Sequence, residues 1–243
     1  MRVLGIIPAR YNSSRFPGKP LIDLKGKSMI QRVYEGAKKA ELISKLIVAT
    51  DDSRILEEVE RFGGNVEMTS NQHHSGTDRC AEVLSRNKDY DLVINIQGDE
   101  PLVDSRQLDS LIQTFIDPSV QIATLATEII SQEDLQNPNR IKVIIDHSNN
   151  AIYFSRSAIP NSANYSGNVL EFFPFLRHIG LYAYRTDILS EITQLKPTHL
   201  EKIESLEQLR WLYYEYKIRI VKTDIETPNI DVPADIEKVL ACL

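Results

Sequence analysis

The segment from Val3 to Leu21 constrains this chain more than any other stretch of its length. Val3 to Ile7 is a short apolar run that reads as a buried strand. Ile7-Pro8-Ala9-Arg10-Tyr11-Asn12-Ser13-Ser14-Arg15-Phe16-Pro17-Gly18-Lys19-Pro20-Leu21 follows as a Gly/Pro/Ser-rich loop, and an amphipathic segment begins near Ser28. A strand passing through such a loop into a helix is how α/β proteins cradle phosphates. Arg10, Arg15 and Lys19 place three cations there, at a strand's carboxyl end, where open α/β sheets bind ligands. Gly18-Lys19 is followed by Pro20 rather than Ser or Thr, so this is not the P-loop of NTPases. The three glycines of a dinucleotide fingerprint are also absent. The loop reads as a triphosphate clamp, against the alternative of a solvated loop stiffened by prolines.

Apolar runs and helical patterns alternate through the first half. Val3–Ile7, Leu46–Thr50, Val66–Met68 and Leu92–Ile96 read as strands. Ile30, Val33, Tyr34 and Ala37 recur at helical spacing, as do Ile55, Leu56, Val59 and Phe62. Asp52 or Ser53 can cap the second helix, and Gly63-Gly64 can end it. This alternation predicts an α/β fold, a mostly parallel central sheet flanked by helices. In the second half Ile122–Ala126, Ile141–Ile145, Ala151–Phe154 and Gly180–Tyr184 read as strands, some close enough in sequence to pair antiparallel. Asn161–Asn168 reads as an exposed loop. Leu206, Leu209, Tyr213 and Tyr216 mark a helix, Ile218–Lys222 a strand, and a last helix starts near Pro233. No linker or repeat divides the chain, so residues 1–243 are expected to form a single domain with a smaller antiparallel β excursion around 141–184.

A net charge of -6 over 243 residues argues against general nucleic-acid binding, which needs a basic surface, but leaves room for a local basic pocket. Cys80 and Cys242 have no metal spacing and form no disulfide framework, which suits a reducing cytosol. The N-terminal apolar run is broken by Pro8 and too short for a signal peptide. No stretch is long enough to span a bilayer. A cytoplasmic protein without membrane insertion is expected.

Four further constellations carry chemistry. In Gln97-Gly98-Asp99-Glu100-Pro101 an apolar strand ends in two acids, placing Asp99 to hold a hard cation near phosphates; a plain turn is the alternative. Asp231, again between a strand and a helix, is the candidate second ligand, or a helix cap. In His73-His74-Ser75-Gly76-Thr77-Asp78-Arg79 the Ser75-Gly76-Thr77 segment opens a helix with free N–H groups, and Arg79 offers a planar fork. The adjacent histidines lack a third zinc ligand at suitable spacing. Arg156, His178 and Tyr182 would form a polar wall for hydroxyls and a carboxylate, or an ordinary sheet surface. Glu207 and Gln208 sit on a helix and face either a pocket or solvent.

Taken together, Pro8-Ala9-Arg10, Ser14-Arg15-Phe16-Pro17-Gly18-Lys19-Pro20-Leu21, Ser75-Gly76-Thr77-Asp78-Arg79, Gln97-Gly98-Asp99-Glu100-Pro101, Arg177-His178-Ile179-Gly180 and Leu206-Glu207-Gln208-Leu209-Arg210 resemble the 3-deoxy-manno-octulosonate cytidylyltransferases (CMP-Kdo synthetases), nearly end to end. The resemblance implies a nucleotide-diphospho-sugar transferase-like fold. It also implies a cytosolic homodimer and a Mg²⁺-dependent reaction of CTP with 3-deoxy-D-manno-octulosonate (Kdo), feeding lipopolysaccharide synthesis. By that resemblance Arg10 and Lys19 are triphosphate positions, with Arg15 in the same loop. Ala9, Ser75, Gly76 and Arg79 surround the cytidine, and Asp99 and Asp231 hold the metal. Gln97, Arg156, His178, Tyr182, Glu207 and Gln208 form the sugar-acid pocket, and the antiparallel excursion is the dimerisation element. Arg10, Lys19, Asp99 and Asp231 are expected to carry the catalysis. The chain departs from the family pattern at Val232 and Ala234, beside Asp231, and at Asn161-Ser162-Ala163. Its alternatives are a cytidylyltransferase for 8-amino-Kdo or a sialic acid, and a non-catalytic nucleotide-sugar sensor.

Overall fold

The computed structural model describes residues 1–12, 16–230 and 232–243, so Arg15 and Asp231 lie outside the described residues. Among the described residues nine strands, β1 (Val3–Ala9), β2 (Lys45–Thr50), β3 (Val66–Met68), β4 (Leu92–Asn95), β5 (Ile122–Glu128), β6 (Lys142–Ile145), β7 (Ala151–Ser155), β8 (Leu176–Arg185) and β9 (Ile218–Lys222), form one sheet. Its main path runs β3-β2-β1-β4-β8-β5-β9, with β6 pairing β7 and β8 off that path. Along the path only β8 runs against the others, since it pairs antiparallel with both β4 and β5 while β1, β2, β3, β4 and β5, β9 pair in parallel. The sheet is therefore mostly parallel, and the hairpin β6–β7 is attached to it through the first residues of β8.

Alternation along the strands divides the core between two faces. Val3, Ile7 and Ala9 of β1 pack on one side with the apolar stripe of α1 (Met29–Ala37), with Ile55 and Val59 of α2 (Ser53–Arg61), and with Leu108, Leu111 and Ile112 of the helix Ser105–Thr114. Leu4 and Ile6 point the other way. There they meet Cys80, Val83 and Leu84 of α3 (Gly76–Arg86), then Ile188, Leu189 and Trp211 further along the chain. A strand buried on both faces is what a parallel sheet between helix layers demands.

The caps follow the sequence. The Ser28 hydroxyl accepts from the Gln31 amide, and the Asp52 carboxylate accepts from the Arg54 amide. Ser75 and Asp78 form a reciprocal capping box at the start of α3. Other elements differ from expectation. The strand expected at Gly180 begins at Leu176. The register between β5 and β8 jumps at Thr124/Leu125, so that Gly180 and Leu181 bulge out of the pairing and disturb the alternation a strand would show. The helix expected across Leu206 to Tyr216 is confined to Gln208–Tyr213. Near the C-terminus, Pro233–Asp235 form a single tight turn, and the helix proper is Ile236–Cys242.

The ends of β1 and β4 approach so closely that a side chain at Gly98 does not fit. A Cβ there would lie 2.7 Å from the carbonyl oxygen of Pro8. Backbone cannot yield as a side chain would, so Gly98→Ala must separate the two strand ends. The expected loss is ~1–3 kcal/mol of folding free energy, measured by urea unfolding; an unchanged midpoint would show that the approach is looser than described.

Candidate active site

The carboxyl ends of β1 and β4 and the amino end of α3 enclose a cavity of ≈ 400 Å³. Pro8, Ala9 and Arg10 leave β1 into it, Lys19 and Pro20 enter from the loop, Ser75, Gly76 and Arg79 from α3, and Gln97, Gly98 and Asp99 from the end of β4. The predicted nucleotide positions Ala9, Arg10, Lys19, Ser75, Gly76 and Arg79 thus share one wall system, while Arg15 is outside the described residues. Asn12 joins them, a neutral residue the sequence reading passed over between two arginines.

The cations are held differently. Arg79 is buried; its Nη1 donates to Thr69 Oγ1 at 2.5 Å, and its Nη2 lies 3.4 Å from Asp51 Oδ2. It is a fixed fork. Arg10 is exposed, and its guanidinium lies 3.5 Å from the carbonyl of His74. The base of the Arg10–Lys19 loop is closed by the Gly18 amide, which donates to the Tyr11 carbonyl at 2.8 Å. Gly18 adopts φ +74°, a conformation costly for other residues. The Tyr11 ring lies against it, with the Arg54 guanidinium 3.3 Å from the ring centroid on the helix side.

Lys19 reaches furthest inward. Its Nζ donates to Asp99 Oδ2 at 2.7 Å and to the carbonyl of Ile230 at 2.8 Å. The Ile230 amide in turn donates to the Asp99 carbonyl at 3.1 Å. The segment immediately before Asp231 is therefore bonded to Asp99, although Asp231 itself is outside the described residues. An ammonium gripped by a carboxylate and a carbonyl is a stand-in for a hard cation, and oxygen-only donors suit Mg²⁺ or a similar ion. Among the described residues no group of three His, Cys, Asp or Glu side chains could hold a metal unaided. An ion here would need ligands beyond Asp99 and its neighbours among the described residues. His73 is bonded to Glu82 instead.

A second cavity of ≈ 240 Å³ shares Gln97 and Asp99 with the first. Its walls are Asn139, Arg140 and Ile141, the bulged start of β8 from Arg177 to Gly180, and Glu100, Thr227 and Asn229. The pairing Lys142↔Arg177 brings Arg140 and Arg177 into one neighbourhood. Arg177 pairs with Glu226 at 2.7 Å and Arg140 with Asp134 at 3.2 Å. Loss of hydration, and then the charge of Arg140, lower the Arg177 pKa below its ordinary value.

Of the predicted sugar-acid residues, Gln97 and His178 line this cavity. Tyr182 lies next to His178, ring centroids 5.3 Å apart, but is buried against Trp211. Desolvation raises its pKa, so it stays a neutral phenol. Arg156 lines neither cavity: its guanidinium donates to the carbonyls of Glu204, Pro138 and Ser205. Glu207 also lies outside both linings and accepts a 2.8 Å bond from Thr77 Oγ1, tying its helix to the start of α3. Burial raises its pKa. Gln208 is buried at the start of the same helix.

His178 is neutral. Loss of hydration and then the neighbouring Arg177 push its pKa from the ordinary 6.5 down to about 3. Its Nε2 is 2.9 Å from Thr124 Oγ1, which itself contacts the carbonyls of Ile179 at 3.0 Å and Leu181 at 2.8 Å. The single hydroxyl proton of Thr124 serves a carbonyl, so Nε2 carries the hydrogen to Thr124 and Nδ1 is left as an acceptor.

The family model described as "Cytidylyltransferase" matches residues 4–220. A 3-deoxy-manno-octulosonate cytidylyltransferase of Parabacteroides distasonis is 51% identical, covering 100% of this chain and 98% of its own. Its counterpart from Cytophaga hutchinsonii is 50% identical, over 98% and 96%. Among solved structures, a CMP:2-keto-3-deoxy-manno-octonic acid synthetase complexed with CTP superposes with a TM-score of 0.92 at 43% identity, over 100% and 98%.

The depressed pKa of His178 has a consequence for stability. Between pH about 3 and 6.5 the unfolded chain binds a proton at this position that the folded chain refuses. The contribution of His178 is therefore intact above that window and is lost as pH falls through it, by at most ~1.4 kcal/mol per pH unit. His178→Gln should flatten the acid limb of stability against pH by that slope, measured by denaturant unfolding from pH 7 to 4; parallel curves would mean that His178 protonates in the folded state.

Proposed function

As a member of the 3-deoxy-manno-octulosonate cytidylyltransferase family, to which this chain belongs, we propose that it joins CTP and Kdo to give CMP-Kdo and pyrophosphate. The observation that carries the reading is the position of Gln97 and Asp99, shared between a cationic cavity at a helix amino end and a second polar cavity lined by arginines and a neutral histidine. A nucleotide in the first and a sugar acid in the second would meet beside Asp99. Each likeness at 43–51% identity over nearly the whole length points to the same substrate pair.

The C2 hydroxyl oxygen of Kdo would attack the α-phosphorus of CTP. The new O–P bond forms in line as the bond to the β-phosphate oxygen breaks, and the hydroxyl proton passes to solvent. Such a transfer depends on placement and charge neutralisation more than on covalent help. Arg10 and the amino end of α3 supply donors for the phosphates, and Arg79 a fixed donor fork for the cytidine. Mg²⁺, when bound, would neutralise phosphate charge and acidify the attacking hydroxyl; Asp99 would hold it, with Asp231 as the proposed second carboxylate. A histidine with a pKa of about 3 is a poor proton acceptor at neutral pH, so His178 would orient a sugar hydroxyl rather than deprotonate it. Arg140 and Arg177 suit a carboxylate.

Cytosolic operation, a homodimer and supply of activated Kdo for lipopolysaccharide complete the proposal. The homodimer is supported by exposed apolar side chains near the antiparallel element, Ile130 at 86% and Phe172 at 68%. No helix among the described residues is long and apolar enough to cross a membrane.

Mixing the protein with CTP, Mg²⁺ and Kdo should release pyrophosphate, with Kdo preferred over 8-amino-Kdo and sialic acid in the same assay. Release with a sialic acid alone would move the reading to that substrate, and nucleotide binding without release would leave a sensor. Asp99→Asn should lower turnover by at least ~10²-fold, and near-normal turnover at saturating Mg²⁺ would remove Asp99 from the mechanism. Arg10→Ala should raise KM for CTP more than KM for Kdo; the reverse would place Arg10 on the sugar.

A further inference from the structure

Lys19 stands where a phosphate-binding lysine is expected, yet its ammonium is engaged inward. It lies 2.7 Å from Asp99 Oδ2 and 2.8 Å from the Ile230 carbonyl. Both side chains are largely withdrawn from water, Lys19 at 11% and Asp99 at 28% exposure. The ammonium thus occupies the carboxylate that the proposed function reserves for a divalent cation. Two cations cannot share it comfortably in so confined a setting. A Mg²⁺ ion needs the oxygen at about 2.1 Å, and at that range it would repel an ammonium still bonded to the same group.

A way out is built into the cavity. Lys19 lines the same wall as Arg10, Ser75 and Gly76, where phosphates would lie. Its flexible four-carbon stem carries three rotatable donors, so a triphosphate offers the ammonium replacement partners that a bare metal ion does not.

On the reading of Asp99 as the metal-holding carboxylate, we propose that Lys19 is an internal counter-cation. It blocks Asp99 to free divalent ions and surrenders it only when a nucleoside triphosphate draws the ammonium away. Metal and nucleotide are then coupled ligands. Each raises the affinity of the other through the same side chain, because coupling between two sites is reciprocal. The pairing also gives Asp99 a counter-charge before substrate arrives, where a lone carboxylate partly withdrawn from water would be costly.

The test is Mn²⁺ binding without nucleotide, followed by electron paramagnetic resonance, on the parent protein, Lys19→Met and Lys19→Gln. Both variants should bind Mn²⁺ ~10-fold more tightly than the parent, within the range typical of coupled sites. Equal affinities overturn the proposal. The double variant Lys19→Met/Asp99→Asn separates this failure from failure of the site reading: it should lose the gain, and if it keeps it, the ion sits elsewhere and the Asp99 assignment falls too. Should the variants not fold, the parent carries the test in ¹⁵N-lysine-labelled form. The Lys19 ammonium resonance should hold still on adding Mg²⁺ and shift on adding CTP in EDTA. A resonance unmoved by CTP, or displaced by Mg²⁺ alone, overturns the proposal.

Discussion

The contact of Lys19 with Asp99 and Ile230 is the constraint on which the site depends. Three segments distant in sequence converge there: the loop after β1, the turn after β4, and the chain returning from β9. The loop brings a cation, the turn a carboxylate, and the returning chain a carbonyl and an amide. The returning chain has no regular secondary structure between Lys222 and Ile230, so side chains and single backbone bonds must fix its course. Gln107, buried in the helix Ser105–Thr114, donates to the Ile225 carbonyl at 2.9 Å, and Arg177 pairs with Glu226 at 2.7 Å. Ile230 is fully buried with Leu24, Met29 and Val239. Apolar burial sets the depth of the segment, and the polar contacts set its register along the cavity.

The architecture places this convergence without special machinery. Parallel strands all deliver their carboxyl ends to one edge of the sheet, which is why β1 and β4 both contribute loops to the same cavity. Reversal of β8 is the exception that makes a second cavity possible. Because β8 runs the other way, its beginning, not its end, lies at that edge. The bulge at Gly180 and Leu181 then turns the Arg177–Gly180 stretch toward Gln97; a Cβ on Gly180 would lie 3.7 Å from Gln97 Cγ.

What could be read from the sequence follows from this geometry. Asp99 was legible because its type and its place after an apolar strand are both local facts, and Ser75-Gly76-Thr77 because a helix start is a local fact. The convergence of Arg140 with Arg177 was not, since it arises from the pairing of β6 with β8, between residues far apart in sequence. The polar Arg177-His178 pair and Gly180 hid the first half of β8, as neither keeps an apolar alternation. The helices Gln132–Gln136, Val169–Phe172, Thr186–Ile192 and His199–Glu204 run for seven residues or fewer, too short for a 3.6-residue period to show. Ser105–Thr114 is different. Leu108, Leu111 and Ile112 do carry that spacing behind an Asp104 cap, and the signal was present though unread.

The cations of the nucleotide cavity differ in how much they must reorganise, and this bears on what each can do. Arg79 is already locked by Thr69 and the Asp51 carboxylate, so it can discriminate a ligand edge with little entropy left to lose. Arg10 is exposed, with a long contact to the His74 carbonyl, so it can follow a flexible phosphate chain but adds less selectivity. Lys19 is neither fixed nor loose, because leaving Asp99 breaks an ion pair that is mostly shielded from water. Its movement therefore needs new anionic partners, and a cation that then takes its place on Asp99 would favour it further. On the proposed reading, a cavity arranged in this way would admit a divalent ion to Asp99 only behind a triphosphate, through a single side chain that exchanges one carboxylate for several phosphate oxygens.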